Sequence, residues 1–416
     1  MHRKEKNDFD AILIGGGPAG MMAAGRAAER KRDVLLLEKG DILGRKLLIS
    51  GKGRCNITNA GDIDEYLENF GRTGQFLRDA FSKMFNKELM DFFEKRKVAL
   101  KTERGKRVFT GSDRSKDILD ALKGYLKENG AAVLLKSEVK DIVICEKGKK
   151  RVVLENEAEY GAGSVAICTG GLSYPETGST GFGFEIAKRL GHNIIMPSPA
   201  LVPLVTESNL PKIWQGLSLE NIKVAIICDG KKKSERFGDA LFTHFGLSGP
   251  IILDISAEVF EFLRRKKDVY VSINLKPALG RNTLDDRLVR EFSRYSNKIL
   301  KNVLKELLPH RMIDGFIKIC GLDPDINVNQ ITKGQRRQLV DKFTDLRFKI
   351  KDTRPIEEAI VTKGGIDTKE INPKTMESKL VKGLFFAGEV IDVDAKTGGY
   401  NMQAAFSTGY LCGENL

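Results

Sequence analysis

The 416 residues predict an α/β chain in which one parallel sheet is assembled from both ends of the sequence. Three observations carry that expectation. "AILI" (11–14) and "VLLLE" (34–38) are short apolar runs, the mark of strands buried on both faces, and a glycine-rich turn and a small-residue helix join them. "SVAICTGG" (164–171) and "LFFAGE" (384–389) repeat that texture far downstream. Between them, 195–277 shows strand and turn signals, and 278–344 shows helical periodicity with charged outer faces.

The first element is a phosphate-binding turn. Gly15, Gly17 and Gly20 satisfy G-x-G-x-x-G directly after a strand, with Ala19 opening the helix "MMAAGRAAER". Gly15 permits the tight turn, Gly17 admits a pyrophosphate close to the backbone, and Gly20 lets helix and strand pack closely. The helix N-terminus offers unpaired N–H groups to the phosphates. Glu38 ends the second strand, where an acid takes the hydroxyls of an adenosine ribose. This is a Rossmann-like dinucleotide domain, and the motif alone fits NAD or FAD.

The far end selects FAD. "LFFAGE" ends in Gly388-Glu389, and the acid of such a strand meets the ribityl and pyrophosphate region of a flavin cofactor. "GGYNMQAAFSTGYLCG" (398–413) follows as a tightly packed helix. Its positive end at Gly399, Tyr400 and Asn401 suits the charge of a reduced flavin ring. "SVAICTGG" brings Thr169 and Gly170 beneath the cofactor. "GAGSVA" (161–166) mimics a second fingerprint but runs into a strand without a helix, so no separate NAD domain is expected.

The stretch "GRKLLISGKGRCNITN" (44–59) then has to run along the middle of the cofactor. Its glycines, Gly53 among them, allow close backbone approach, and Lys46 and Arg54 can neutralise pyrophosphate. Ser50 lies within it, and Cys55 and Asn56 lie towards the flavin ring. Cys55, with no neighbouring Cys or His, is expected to be a packing residue, not a nucleophile or flavin link.

With "CTGGLSYPETGSTGFGFEIAKRLGH", "LFTHFGLSGP" and "GLFFAGEVIDVDAKTGGYNMQAAFSTG", this stretch resembles the BaiN/YhiN-like NAD(P)/FAD-dependent oxidoreductases, the aminoacetone oxidase-like flavoproteins. The resemblance spans nearly the whole chain. It implies a glutathione-reductase-like FAD fold over 1–194 and 366–416. A small β-barrel over 195–277 and 345–365 would interrupt that fold, itself interrupted by a helical insert over 278–344. It also implies that Lys39, Arg45, Met402 and, through its backbone, Val139 border FAD with the residues above. Substrates of such enzymes bind between domains, against the flavin.

Composition bounds the partners. The net charge is +13, from 69 Lys and Arg against 56 Asp and Glu. The basic clusters "KGKKR", "KKK" and "RRKK" are short, separated and free of interleaved aromatics, so an anionic small molecule is expected before a nucleic acid. Six cysteines (55, 145, 168, 228, 320, 412) form no CxxC pair, which argues against redox disulfides and zinc ribbons. The polar start "MHRKEKNDFD" and the absence of a long apolar run predict a soluble, cytoplasmic protein without a membrane span.

Catalytic candidates are few. His244 of "LFTHFGLSGP" is either a proton donor in the cleft or a structural ring, and Tyr174 of "GGLSYPETG" either a phenol near substrate or packing. His2 is terminal, His192 follows a helix and His310 lies in the helical insert. No metal motif occurs. The expected activity is hydride transfer between flavin N5 and a small molecule. The leading form is an NAD(P)H-linked reductase of an activated C=C bond in a steroid-like enone. The alternatives are an aminoketone oxidase using dioxygen and a flavin-containing RNA-modifying or RNA-binding protein.

Overall fold

A computed structural model describes residues 7–416, and the chain divides into two compact units, Met1–Ala200 with Ile356–Leu416, and Leu201–Pro355. His2 lies outside the described residues.

The first unit is built on a seven-stranded sheet. Ala132–Leu134, Val34–Leu37, Asp8–Ile14 and Glu159–Ile167 lie side by side in parallel. Glu159–Ile167 is the pivot. One edge pairs with Asp8–Ile14 along its length, while the other pairs first with Lys150–Leu154 and then, near its C-terminal end, with Leu384–Phe386. The last tenth of the sequence thereby enters the sheet beside residues 165–167. Ala11–Ile14 and Val34–Leu37 are fully buried, as expected of strands covered on both faces.

Two helices of this unit pack on each other with almost no side chain between them. A Cβ built on Gly409 would sit 2.4 Å from the carbonyl oxygen of Ala19, and one on Gly413 2.4 Å from that of Ala23. Helices Pro18–Glu29 and Tyr400–Asn415 therefore touch backbone to backbone. The glycines and alanines on their facing sides are a packing requirement.

The second unit contains a closed six-stranded barrel in the order Leu204–Thr206, Gly246–Ser248, Lys231–Phe242, Ser218–Cys228, Val269–Asn274, Leu346–Thr353. Helices Arg281–Arg294, Ile313–Ile319 and Lys333–Thr344 supply Leu284, Leu288, Phe316 and Phe343 to the same apolar core as Val224, Ile226 and Phe348. The helical segment thus shares one core with the barrel. Ile194–Ala200 pairs with Val361–Ile366 inside the first unit, so the boundaries fall at 200/201 and 355/356, not at 194/195 and 365/366.

"IILDIS" (251–256) reads as a strand and folds as part of a helix, Pro250–Arg264. Gly249, at φ 93°, turns the chain, and Pro250 occupies the first helical position, where its missing N–H costs nothing. Ile251, Ile252, Ile255 and Val259 are buried, which is helical spacing. A six-residue apolar window is too short to separate the two periods. Among the described residues, no helix is long and apolar enough to cross a membrane.

Candidate active site

The glycine turn has the shape its residues demand. Gly15 is at φ 108°, and a Cβ there would lie 2.5 Å from the Cys168 carbonyl oxygen. A Cβ on Gly20 would lie 1.9 Å from the Gly15 oxygen, so both positions exclude every other residue. Gly17 is the opposite case: a Cβ there meets nothing within 4 Å, leaving an open cradle at the helix N-terminus. That terminus has no side-chain cap, so its first N–H groups remain available to an anion.

Glu38 closes the turn. Its carboxylate accepts from the Gly16 N–H and the Gly40 N–H, each at 2.7 Å. Val139 begins the strand Val139–Ile144, just past Ser137, whose N–H donates to the Glu38 carbonyl. Arg45 pairs with Asp41 at 2.5 Å, and Lys39 donates to the Thr180 hydroxyl at 3.1 Å.

Residues 44–59 fold as a short helix, Arg45–Ile49, and a tight turn with positive φ at Gly51, Lys52, Gly53 and Cys55. The helix differs from the irregular loop that its composition suggests. The Ser50 hydroxyl donates to the Leu47 carbonyl, capping it. Cys55 is fully buried, and burial pushes its thiol up to about 12, which keeps it protonated and unreactive, in line with packing. Arg54 is held by Glu103 and Asp113 and lies over the Phe109 ring at 4.2 Å, so its charge is engaged within the protein.

The distant motifs meet at Gly398-Gly399. The Asn59 amide donates to the Gly398 carbonyl at 3.0 Å. A Cβ on Gly399, at φ 100°, would collide with the Thr58 carbonyl at 2.3 Å and come within 2.9 Å of Asn56 Oδ1. Gly399 caps the last helix without a side-chain partner, leaving the N–H groups of its first turn exposed to a ligand. The Asn401 side chain fixes the preceding loop, accepting from the Ala395 N–H at 2.9 Å and donating to its carbonyl at 2.8 Å. The Tyr400 ring packs edge-on to Tyr66, its hydroxyl donating to Glu65, and Met402 is partly buried against the core.

A charged network lies beside this junction. Lys46 Nζ donates to Glu389 and to the Ser173 hydroxyl, both at 2.6 Å. Ser173 and the Thr362 N–H also donate to Glu389, each at 2.8 Å. Burial alone would push the Glu389 carboxyl up, but Lys46 and these donors outweigh it and hold it below the ordinary carboxylate range. Gly388 abuts Ala19, and its N–H donates to Thr408.

Sequence reasoning missed Ser173, Thr362 and two acids of the loop before the last helix. Asp392 is buried, with one oxygen on Arg72 at 2.8 Å and Oδ1 without a partner. Burial raises the carboxyls of Asp392 and Asp394. The acidic run "VIDVDAK" was the available signal, but nothing in it shows which acid is buried.

The catalytic candidates separate. Tyr174 belongs to the first unit, half-buried at φ 53°, its N–H donating to the Glu357 carbonyl. His244 belongs to the barrel unit and is exposed, edge-on to Phe245. His192 is buried between the Ala187 carbonyl and the Ser378 hydroxyl, and burial lowers its pKa, a structural role. His310 is exposed. Among the described residues, no cluster of His, Cys, Asp or Glu could hold a metal.

FAD fits these residues. Asn56 Oδ1 and Thr169 Oγ1 are buried polar atoms without partners, the Gly17 cradle is open, and two uncapped helix N-termini stand ready for anionic groups. Gly170, at φ 73°, follows Thr169 and is held against Ser179.

The profile of the HI0933-like protein Rossmann domain matches residues 9–415. A ribosomal RNA dihydrouridine synthase of Escherichia coli is 33% identical over 411 residues, 98% of each chain. A 3-dehydro-bile acid delta(4,6)-reductase of Clostridium scindens is 28% identical, covering 96% of this chain and 97% of its own. The crystal structure of a 3-ketosteroid delta1-dehydrogenase from Sterolibacterium denitrificans shares the fold with TM-score 0.53 at 13% identity, covering 98% of this chain and 99% of its own.

Proposed function

The chain belongs to the HI0933-like Rossmann-domain family and is an FAD-dependent oxidoreductase, and from that premise we propose that it reduces a carbon–carbon double bond conjugated to a carbonyl, with uracil in ribosomal RNA as substrate. One observation carries the reading. The relatives named for a dihydrouridine and for a bile acid match this chain over nearly its whole length, and their named substrates have little in common beyond a carbon–carbon double bond that can be reduced. Uracil C5=C6 is conjugated to the C4 carbonyl as the steroid double bond is to its 3-oxo group. FAD, when bound, supplies the hydride, with NADH or NADPH as the proposed source of electrons.

The chain's own residues bind and orient. The Gly15–Gly20 turn and the Pro18 helix end would hold the pyrophosphate, and Glu38 the ribose. Lys46 and Glu389 fix each other beside the junction. The N-terminal end of the last helix favours negative charge where the ring of the cofactor would lie. RNA is preferred to a steroid because of the higher identity to the RNA-named relative, which outweighs the small-anion expectation drawn from the spacing of the basic clusters.

Mass spectrometry of nucleosides from ribosomal RNA tests this. Deleting the gene in its host is expected to remove a dihydrouridine, and restoring the gene to return it. Unchanged dihydrouridine in the deletion strain refutes the RNA substrate. A steroid enone that reoxidises the anaerobically reduced protein would then establish the second reading, which the bile-acid relative supports.

A further inference from the structure

We propose that the barrel unit, Leu201–Pro355, carries the RNA-binding surface, and that its two basic clusters, Lys231–Lys233 at the start of a strand and Arg264–Lys267 at the end of a helix, form a phosphate-binding patch. The inference rests on the RNA reading above and adds where the nucleic acid is held.

Charge is distributed unevenly between the units. Leu201–Pro355 holds 28 Lys and Arg against 19 Asp and Glu, a net +9 in 155 residues. The other 261 residues hold 41 against 37, a net +4. Most of the excess therefore lies outside the dinucleotide unit.

Folding also joins clusters that the sequence separates. Cys228 pairs with Lys231 across one hairpin and with Val269 on its other side. The Asp229 N–H donates to the Asp268 carbonyl at 3.0 Å, and the Asp268 N–H to Asp229 Oδ1 at 3.2 Å. "KKK", which opens the strand Lys231–Phe242, and "RRKK", which ends the helix Pro250–Arg264, become neighbours, and all seven basic residues are exposed. The nearby carboxylates are engaged: Asp229 with Lys267, Glu235 with Lys232 and Lys223, Glu261 with Arg264. Lys231, Lys233, Arg265 and Lys266 make no ion pair among the described residues.

Four exposed cations on neighbouring segments, without a buried polar pocket, suit a chain of phosphates and the counterions it releases. A single small anion would require converging, desolvated donors. Farther along the same strand, Phe237 is 58% exposed, with Lys223 opposite it and Arg236 beside it. An exposed ring among cations offers a base a stacking surface.

The test is fluorescence anisotropy of a labelled RNA stem-loop with a uridine-containing loop, titrated with flavin-loaded protein at several salt concentrations. The wild type should bind with a steep salt dependence. K231Q/K233Q/R265Q/K266Q should bind at least about tenfold more weakly, with a log–log salt slope shallower by about 3, from roughly 0.7–0.9 per phosphate contact. Each double variant, K231Q/K233Q or R265Q/K266Q, should give about half that slope change. Phe237→Ala should weaken loop binding about tenfold with the slope unchanged. The control K83Q/K95Q/K123Q/K127Q removes as much charge from exposed positions of the other unit and should bind as the wild type does.

If the wild type binds RNA and the patch variants bind equally well, or the control loses as much, the patch is refuted while the RNA substrate stands. If the wild type binds no RNA, or binds phosphatidylserine vesicles instead, patch and RNA substrate fall together.

Discussion

The two units solve different problems with different residues. The dinucleotide unit positions backbone: Gly15, Gly20, Gly399 and Gly409 each stand where a Cβ would meet a carbonyl oxygen at 2.5 Å or less. Both units bury large rings, but the barrel unit, filled by Trp214, Phe242, Phe316, Phe343 and Phe348, carries a formal net charge of +9. In the first, single atoms at single positions decide whether a cofactor is held. In the second, identity matters inside while the outside needs only sign and density. Substitutions should therefore act steeply in one unit and gradually in the other.

The largest effect should come from Lys46→Met, which leaves the Glu389 carboxylate without its cation. The pair is only partly shielded from water, so the loss should be about 2–3 kcal/mol, below the 3–5 of a fully buried pair. Thermal melting and flavin absorbance of the purified variant check this. Full retention of flavin and stability would show that the network is dispensable.

Gly409→Val comes next. Its side chain would enter the contact with Ala19, costing about 1–3 kcal/mol and weakening flavin retention, as urea unfolding can measure. An unaffected variant would mean that the two helices can separate, and the backbone-contact account would fail.

Asp392→Asn should act in the opposite direction. The folded pKa of Asp392 is raised, so its stability contribution is present below the ordinary carboxylate range and is lost as pH rises through the folded value. The variant should therefore melt higher than the wild type near neutral pH and the same in acid. Glu389, whose pKa is lowered, has the reverse sign: its contribution is present at neutral pH and is lost as pH falls through its folded value. Glu389→Gln should melt lower near neutral pH and converge on the wild type in acid. Parallel melting curves for either variant across pH would refute the assignment.

The smallest effect on stability belongs to the patch variant K231Q/K233Q/R265Q/K266Q. Exposed substitutions should each change unfolding free energy by no more than about 0.5 kcal/mol while RNA binding falls. A large drop in melting temperature would show that these residues hold the barrel together.

Sequence by itself determined the dinucleotide turn, the FAD assignment and most strands of the sheet. Those depend on local rules: a glycine where φ is positive, an apolar run where both faces are covered, an acid at the end of a strand. It could not determine that "IILDIS" is helical, because four apolar residues in a window of six satisfy either period until neighbours select one. Tertiary structure alone decided that Arg54 is held by Glu103 and Asp113, that Lys46 meets Glu389 across 343 positions, and that two basic clusters form one surface. Charge interactions depend on distance in space and on exposure to water, and neither is encoded in the spacing of residues along a chain.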